Sequence, residues 1–231
     1  MVREVIMFNW IYIVIMLVLA LIILIMSKNP KRVPKINYHI VFFVPIWSAI
    51  CYIFFNIQQN SNIIDEQLLF IVRYIDRLII IPLLLTSLCF TAMYYSNKDK
   101  VIISKLVLVN IIMITGGLLG DLAIGINSYI WFIISVIAFL TTIWLIWVPI
   151  EDIASTQGAT IYGLYKKLAL YITIFWLLYL VIWILGPVGL EFIDKNIDIY
   201  VFMIFNIISR SGFILINLVE LRKLSRDNII P

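Results

Sequence analysis

Long, nearly unbroken runs of apolar residues alternate with short polar segments along the whole chain. Seven runs stand out, at roughly 8–27, 37–57, 68–94, 101–122, 129–150, 168–186 and 199–220. Each is about 20 residues long, the length at which an α-helix crosses the hydrocarbon of a bilayer. The apolar character is continuous, and in lipid an isolated spanning segment must satisfy its own backbone, as a helix does. The pattern therefore predicts an all-α integral membrane protein, a bundle of seven transmembrane helices. One transmembrane domain over 1–231, with a short cytoplasmic tail at 221–231, accounts for the chain, because the loops leave no room for a second domain. The first run lacks a small-residue cleavage site and reads as a retained signal anchor.

Composition sharpens this. The chain is 64% hydrophobic and 13% charged, whereas a soluble domain is nearer half apolar and a quarter charged. Cys51 and Cys89 fall inside apolar runs and read as buried thiols, not as a disulfide framework or a metal site. His39 stands alone at a membrane edge. The basic residues are strongly partitioned. Lys28, Lys31, Arg32, Lys35, Lys98, Lys100, Lys105, Lys166, Lys167, Arg222, Lys223 and Arg226 fall on one side, and only Arg3 and Lys195 on the other. That bias predicts a multi-pass protein of the cell membrane, N-terminus outside and C-terminus cytoplasmic. Asp65, Glu66, Glu191, Asp194 and Asp198 belong to the outer loops. The net charge of +4 follows from this topology, so no nucleic-acid partner is expected.

Charges within the runs are the costly residues, and those in a membrane helix are candidates for function. Arg73, Asp76 and Arg77 share the third run, and Arg210 sits in the middle of the seventh. Spacings of three and four place Arg73 beside Asp76 and Arg77. An Asp76–Arg210 ion pair across the third and seventh helices is expected, with Arg73 on its outer side. Three guanidinium groups against one carboxylate leave a surplus of positive charge. Water, carbonyls, tyrosine hydroxyls or a bound anion must compensate it. Two readings stay open here: a pair that locks two helices, or a ligand or ion pocket. Tyr52 and Tyr200 are candidate hydroxyls nearby. Trp176, Tyr179 and Trp183 form one stripe of the sixth helix, most simply core packing. Gly116, Gly117 and Gly120 form a smooth face on the fourth, suited to close helix packing or to a flat ligand. No nucleophile–base pair, metal cluster or nucleotide loop is present, so neither catalytic residues nor metal ligands are assigned.

The third run is also the most specific motif. Arg73-Tyr74-Ile75-Asp76-Arg77, followed by Pro82-Leu83-Leu84-Leu85, resembles the arginine-tyrosine-x-aspartate-tryptophan segment of the microbial rhodopsins. The resemblance extends over nearly the whole chain. It implies a rhodopsin-like bundle in which Asp76 matches the Schiff-base counterion and Arg73 the arginine of the outward proton path. Pro45 and Tyr52 match second-helix residues. Met113 and Gly117 match residues beside the retinal ring, and Trp176, Tyr179 and Trp183 the aromatic box over the polyene. Phe202-Met203 and Gly212-Phe213 frame the position of the retinal-bearing lysine.

The same resemblance exposes departures. Arg210 stands at the lysine position, and its always-protonated guanidinium does not form an imine. Arg77 replaces a tryptophan of the pocket, and Asn206 replaces the second counterion aspartate. Ser87 stands where pumps carry a carboxylate donor. Ile80 and Ile81 replace two pocket threonines, and Leu180 a proline. These residues imply a family member without covalent retinal and without proton pumping. The candidate ligand or ion pocket is then Arg73, Asp76, Arg77, Arg210, Asn206, Tyr52 and Tyr179. The former retinal pocket is Met113, Gly117, Trp176, Tyr179 and Trp183.

The leading expectation is a non-enzymatic sensor, or a protein that binds an anion or a carboxylated lipid or retinoid. A structural or regulatory subunit, bound to a membrane-protein partner or to its own copies, is the alternative from another class. A photoreceptor with noncovalent retinal is the third.

Overall fold

The seven apolar runs become seven helices in the computed structural model, which describes residues 2–58, 66–185, 192 and 195–226. They are α1 (Val2–Lys28), α2 (Lys35–Gln58), α3 (Glu66–Ala92), α4 (Lys100–Leu122), α5 (Ile126–Ser155), α6 (Ala159–Leu185) and α7 (Lys195–Arg226). No strand occurs among the described residues. Each helix holds a segment long and apolar enough to cross a membrane.

The expected boundaries shift where helices outrun their apolar part. α6 begins at Ala159, nine residues before the apolar run, and α5 continues to Ser155. α7 continues to Arg226 and so takes in much of the expected tail. An α-helix bonds its backbone internally in water and in lipid alike, so polarity marks the membrane edge, not the helix end. α3 stops at Ala92, two residues before the expected end.

Neighbouring helices pack in chain order, and α7 returns to α1, which closes the ring. α3 also touches α6 and α7, and α2 touches α7. The interior of the bundle is thus shared mainly by α3 and α7. At one end of the ring the connections are tied together. Tyr95 N donates to Gln157 Oε1 at 2.8 Å, Arg222 Nη1 to Met26 O at 2.8 Å, and Lys167 Nζ to Glu220 Oε1 at 3.0 Å.

α4 and α5 meet most closely. A Cβ at Gly116 would lie 3.3 Å from Ser135 Cβ and from the Trp131 carbonyl oxygen, and one at Gly120 would lie 3.5 Å from Phe132 N. Small residues let the backbones approach, and serines then bond across. Ser135 Oγ donates to Met113 O and Ser128 Oγ to Gly120 O, both at 2.7 Å. Gly116 and Gly120 therefore serve packing, as one of the two expected uses. Gly125, at φ +66°, makes the turn before α5.

α5 carries a π turn at Ile146–Ile150 containing Pro149. Proline lacks an N–H, and a π turn leaves carbonyls without their usual partner. Tyr165 Oη of α6 supplies one by donating to Ile146 O at 2.5 Å. Trp147 Nε1 donates to Thr173 Oγ1 at 3.0 Å, so the irregular turn is fastened to α6 twice.

Candidate functional site

Arg210 lies near the middle of the apolar part of α7 and is only 4% exposed. A guanidinium presents several donors in a planar fork, and burial requires partners for them. Three helices supply them. Arg210 Nη2 donates to Asp76 Oδ2 of α3 at 2.5 Å. Its Nη1 donates to Tyr12 Oη of α1 at 2.7 Å and to Ser48 Oγ of α2 at 2.6 Å. Tyr12 and Ser48 are bonded to each other at 2.5 Å, and the Tyr12 ring packs on Tyr52 at 4.4 Å between centroids. The seat thus joins α1, α2, α3 and α7.

The expected Asp76–Arg210 pair is present. Tyr12 and Ser48, however, are absent from the sequence reading. Tyr12 lies in the most uniformly apolar run, where a tyrosine reads as core, and a lone serine in α2 carries no signal. Tyr52 contributes its ring as buried packing beneath the seat. Tyr200 is corrected: its ring meets Phe8 of α1 at 4.6 Å, because its position on α7 turns it towards α1. Asn206 is buried one turn before Arg210. Asp76 Oδ1 is buried and has no hydrogen-bond partner, which leaves one strong acceptor beside the guanidinium free.

Arg77 makes a different arrangement. Its guanidinium lies 4.5 Å from the centroid of Tyr179, 5.6 Å from Tyr74 and 5.8 Å from Phe202. Guanidinium over aromatic faces is a favourable electrostatic contact when partly desolvated. Arg73 lies 5.4 Å from Phe202. Tyr179 also packs on Phe202 and Phe205, at 5.2 and 6.5 Å. Trp176 instead faces Phe139 of α5 at 6.0 Å, so the expected stripe divides between two neighbours. The side chain of Trp183 lies outside the described residues.

Tyr74 closes this part of the interior. Its Oη donates to Asp121 Oδ2 of α4 at 2.7 Å, and a Cβ at Gly117 would lie 3.6 Å from that hydroxyl. Gly117 therefore faces Tyr74, unlike Gly116 and Gly120. Met113, one turn earlier, is half-buried. Asp121 is not among the residues expected from the sequence, because a carboxylate near a helix end looks interfacial. Asp121 is exposed near the end of α4, so it adds a carboxylate at the rim beside Tyr74 and leaves Asp76 as the buried carboxylate facing Arg210.

On the other side of the ion pair, α3 and α7 are tied again. Asn217 Nδ2 donates to Ser87 Oγ and Thr91 Oγ1 donates to Asn217 Oδ1, both at 3.0 Å, all three residues buried. Cys51 and Cys89 are buried free thiols, as expected. No group able to hold a metal ion occurs among the described residues.

Seven membrane-length helices closed around an α3–α7 ion pair define a polytopic membrane protein of rhodopsin-like architecture. The profile of the bacteriorhodopsin-like proteins matches residues 4–224, and the chain belongs to that family, the microbial rhodopsins. Sensory rhodopsin-2 of Natronomonas pharaonis is 26% identical over 166 residues, covering 72% of this chain and 68% of the relative. Archaerhodopsin-3 of Halorubrum sodomense is 27% identical over 181 residues, covering 76% and 69%. Thermophilic rhodopsin from Rubrobacter xylanophilus superposes with a TM-score of 0.84 at 24% identity, covering 96% of this chain and 97% of that one. The inward proton pump xenorhodopsin gives 0.81 at 23% identity, covering 94% and 92%. At such identities these structures bear on the fold alone.

Proposed function

We propose that this chain is a microbial rhodopsin-family member that carries no covalent retinal and pumps no protons. It acts instead as a sensor or binding protein within the membrane. The seat of Arg210 carries this reading. The family resemblance places a retinal-bearing lysine there, and here an arginine is bound to Asp76, Tyr12 and Ser48 at 2.5–2.7 Å. A guanidinium does not form the imine. The described lysine side chains all belong to one end of the bundle, so none can substitute. Retinal as a Schiff base does not fit these residues. Arg77 on Tyr179, and Tyr74 beside Gly117, further occupy the region the resemblance gives to the chromophore.

The decisive experiment is absorption of the purified protein with and without added all-trans-retinal, followed by light-driven acidification of a cell suspension. A visible band that survives denaturation as a covalent adduct, or a light-driven pH change, overturns the reading.

Within it, Arg77 is the group that a halide or a carboxylate would meet. Its neighbours are ring faces, and a carboxylate would bond its N–H groups with charge assistance. Concentration-dependent thermal stabilisation by chloride or by a fatty acid supports this ligand class. Arg77→Gln should abolish the stabilisation. A flat response across both series removes the ligand and leaves the alternative, a structural or regulatory membrane subunit. The Arg210 seat favours that alternative, because its guanidinium is already held by Asp76, Tyr12 and Ser48 on three other helices.

A further inference from the structure

On the outer face of α4, Lys100 and Lys105 flank a shallow, open patch whose remaining lining is Val101, Ser104 and Leu108. At 100° per residue, Ser104, Leu108 and Val101 fall within the arc between the two lysines. The two ammonium groups therefore stand on either side of an apolar seam, with the Ser104 hydroxyl between them on the Lys100 side. Leu108 lies two turns along the helix from Lys100, about 12 Å deeper into the span. Val101 is 62% exposed and Leu108 59% exposed, so this face packs against no other helix.

Lys100 and Lys105 differ from Lys98, Lys166 and Lys167 at the same end of the bundle. Lys166 faces Glu151 at 3.7 Å, and Lys167 bonds Glu220 at 3.0 Å. Lys98 donates to the carbonyl oxygens of Met93 and Tyr94. Among the described residues Lys100 and Lys105 have no acidic partner. Two unpaired cations, a hydroxyl between them and an apolar floor below match one ligand chemistry, a phosphodiester headgroup with an acyl chain attached.

We propose that this face of α4 is a binding site for one anionic phospholipid, with the phosphate between Lys100 and Lys105, Ser104 donating to it, and an acyl chain along Val101 and Leu108. A zwitterionic lipid fits less well, because its own ammonium competes with the lysines for the phosphate. The site is independent of the interior seat of Arg210.

The test is native mass spectrometry of the purified chain in detergent, titrated separately with phosphatidylglycerol, phosphatidylcholine and inorganic phosphate. Phosphatidylglycerol should be retained in preference to phosphatidylcholine, and inorganic phosphate should not displace it. Each basic residue near an anionic lipid contributes about fivefold, so Lys100→Gln with Lys105→Gln should weaken retention about 30-fold. Arginine at both positions should restore it. All these side chains are exposed, and a melting curve in detergent verifies that the variants remain folded. Equal retention of the two lipids overturns the proposal. So does an equal loss in a Lys166→Gln, Lys167→Gln control, which would mean diffuse attraction to the basic end. Displacement by inorganic phosphate would show that the apolar floor takes no part.

Discussion

Arg210 Nη2 and Asp76 Oδ2 lie 2.5 Å apart, 134 positions apart in sequence, with both side chains withdrawn from solvent. Tyr12 and Ser48 occupy the opposite nitrogen of the same guanidinium. The charge is therefore shared among four helices. Breaking a buried pair by removing one partner typically costs about 3–5 kcal/mol, whereas replacing both by apolar groups is often neutral. Asp76→Ala should accordingly destabilise the protein by that order, read as a fall in midpoint during denaturation in detergent. Asp76→Leu combined with Arg210→Met should recover much of the loss. If Asp76→Ala and Arg210→Ala each melt like the parent, the pair does not hold the bundle.

Restoring a lysine should not by itself restore a pigment. Arg210→Lys supplies an amine, but Arg77 remains stacked 4.5 Å from Tyr179. Adding Arg77→Trp to Arg210→Lys should increase covalent retinal binding, measured as a visible absorption band and as an adduct mass. Equal binding by the single and double variants would place Arg77 outside the chromophore region.

Tyr74 and Asp121 hold the wall beside Arg77. Their hydrogen bond is exposed, and such a bond contributes about 0.5–1.5 kcal/mol. Tyr74→Phe should lose about that much, and Tyr74→Phe with Asp121→Asn should cost little more than either change alone. A double-mutant cycle with no coupling energy would show that the bond contributes nothing to stability.

Gly212 should tolerate no side chain. A Cβ there would collide with the Tyr171 hydroxyl, which itself bonds Ile208 O at 2.7 Å. Gly212→Ala should destabilise by about 1–3 kcal/mol, as overpacking does. Tyr171→Leu in the same chain should relieve it, because the hydroxyl oxygen and Cζ that meet the added Cβ are both gone. A melting point unchanged by Gly212→Ala would mean that α6 and α7 separate freely at this contact.

The seven helices, their order and the cost of Arg73, Asp76, Arg77 and Arg210 were legible in the sequence alone. Each follows from one-dimensional facts: the length of an apolar run and the penalty for charge in hydrocarbon. The Asp76–Arg210 pair was legible for the same reason, since a lone carboxylate among guanidinium groups has few alternatives. Tyr12, Ser48 and Asp121 were not. Uncharged polar residues in an apolar run and a carboxylate near a helix end look ordinary until rotation about the helix axis shows where they point. The division of Gly116 and Gly120 from Gly117, and of Trp176 from Tyr179, has the same origin. Helix formation and insertion depend on local backbone bonding and on hydropathy along the chain. Which side chains meet depends on the rotation and spacing of seven helices packed together, which only their joint close packing sets.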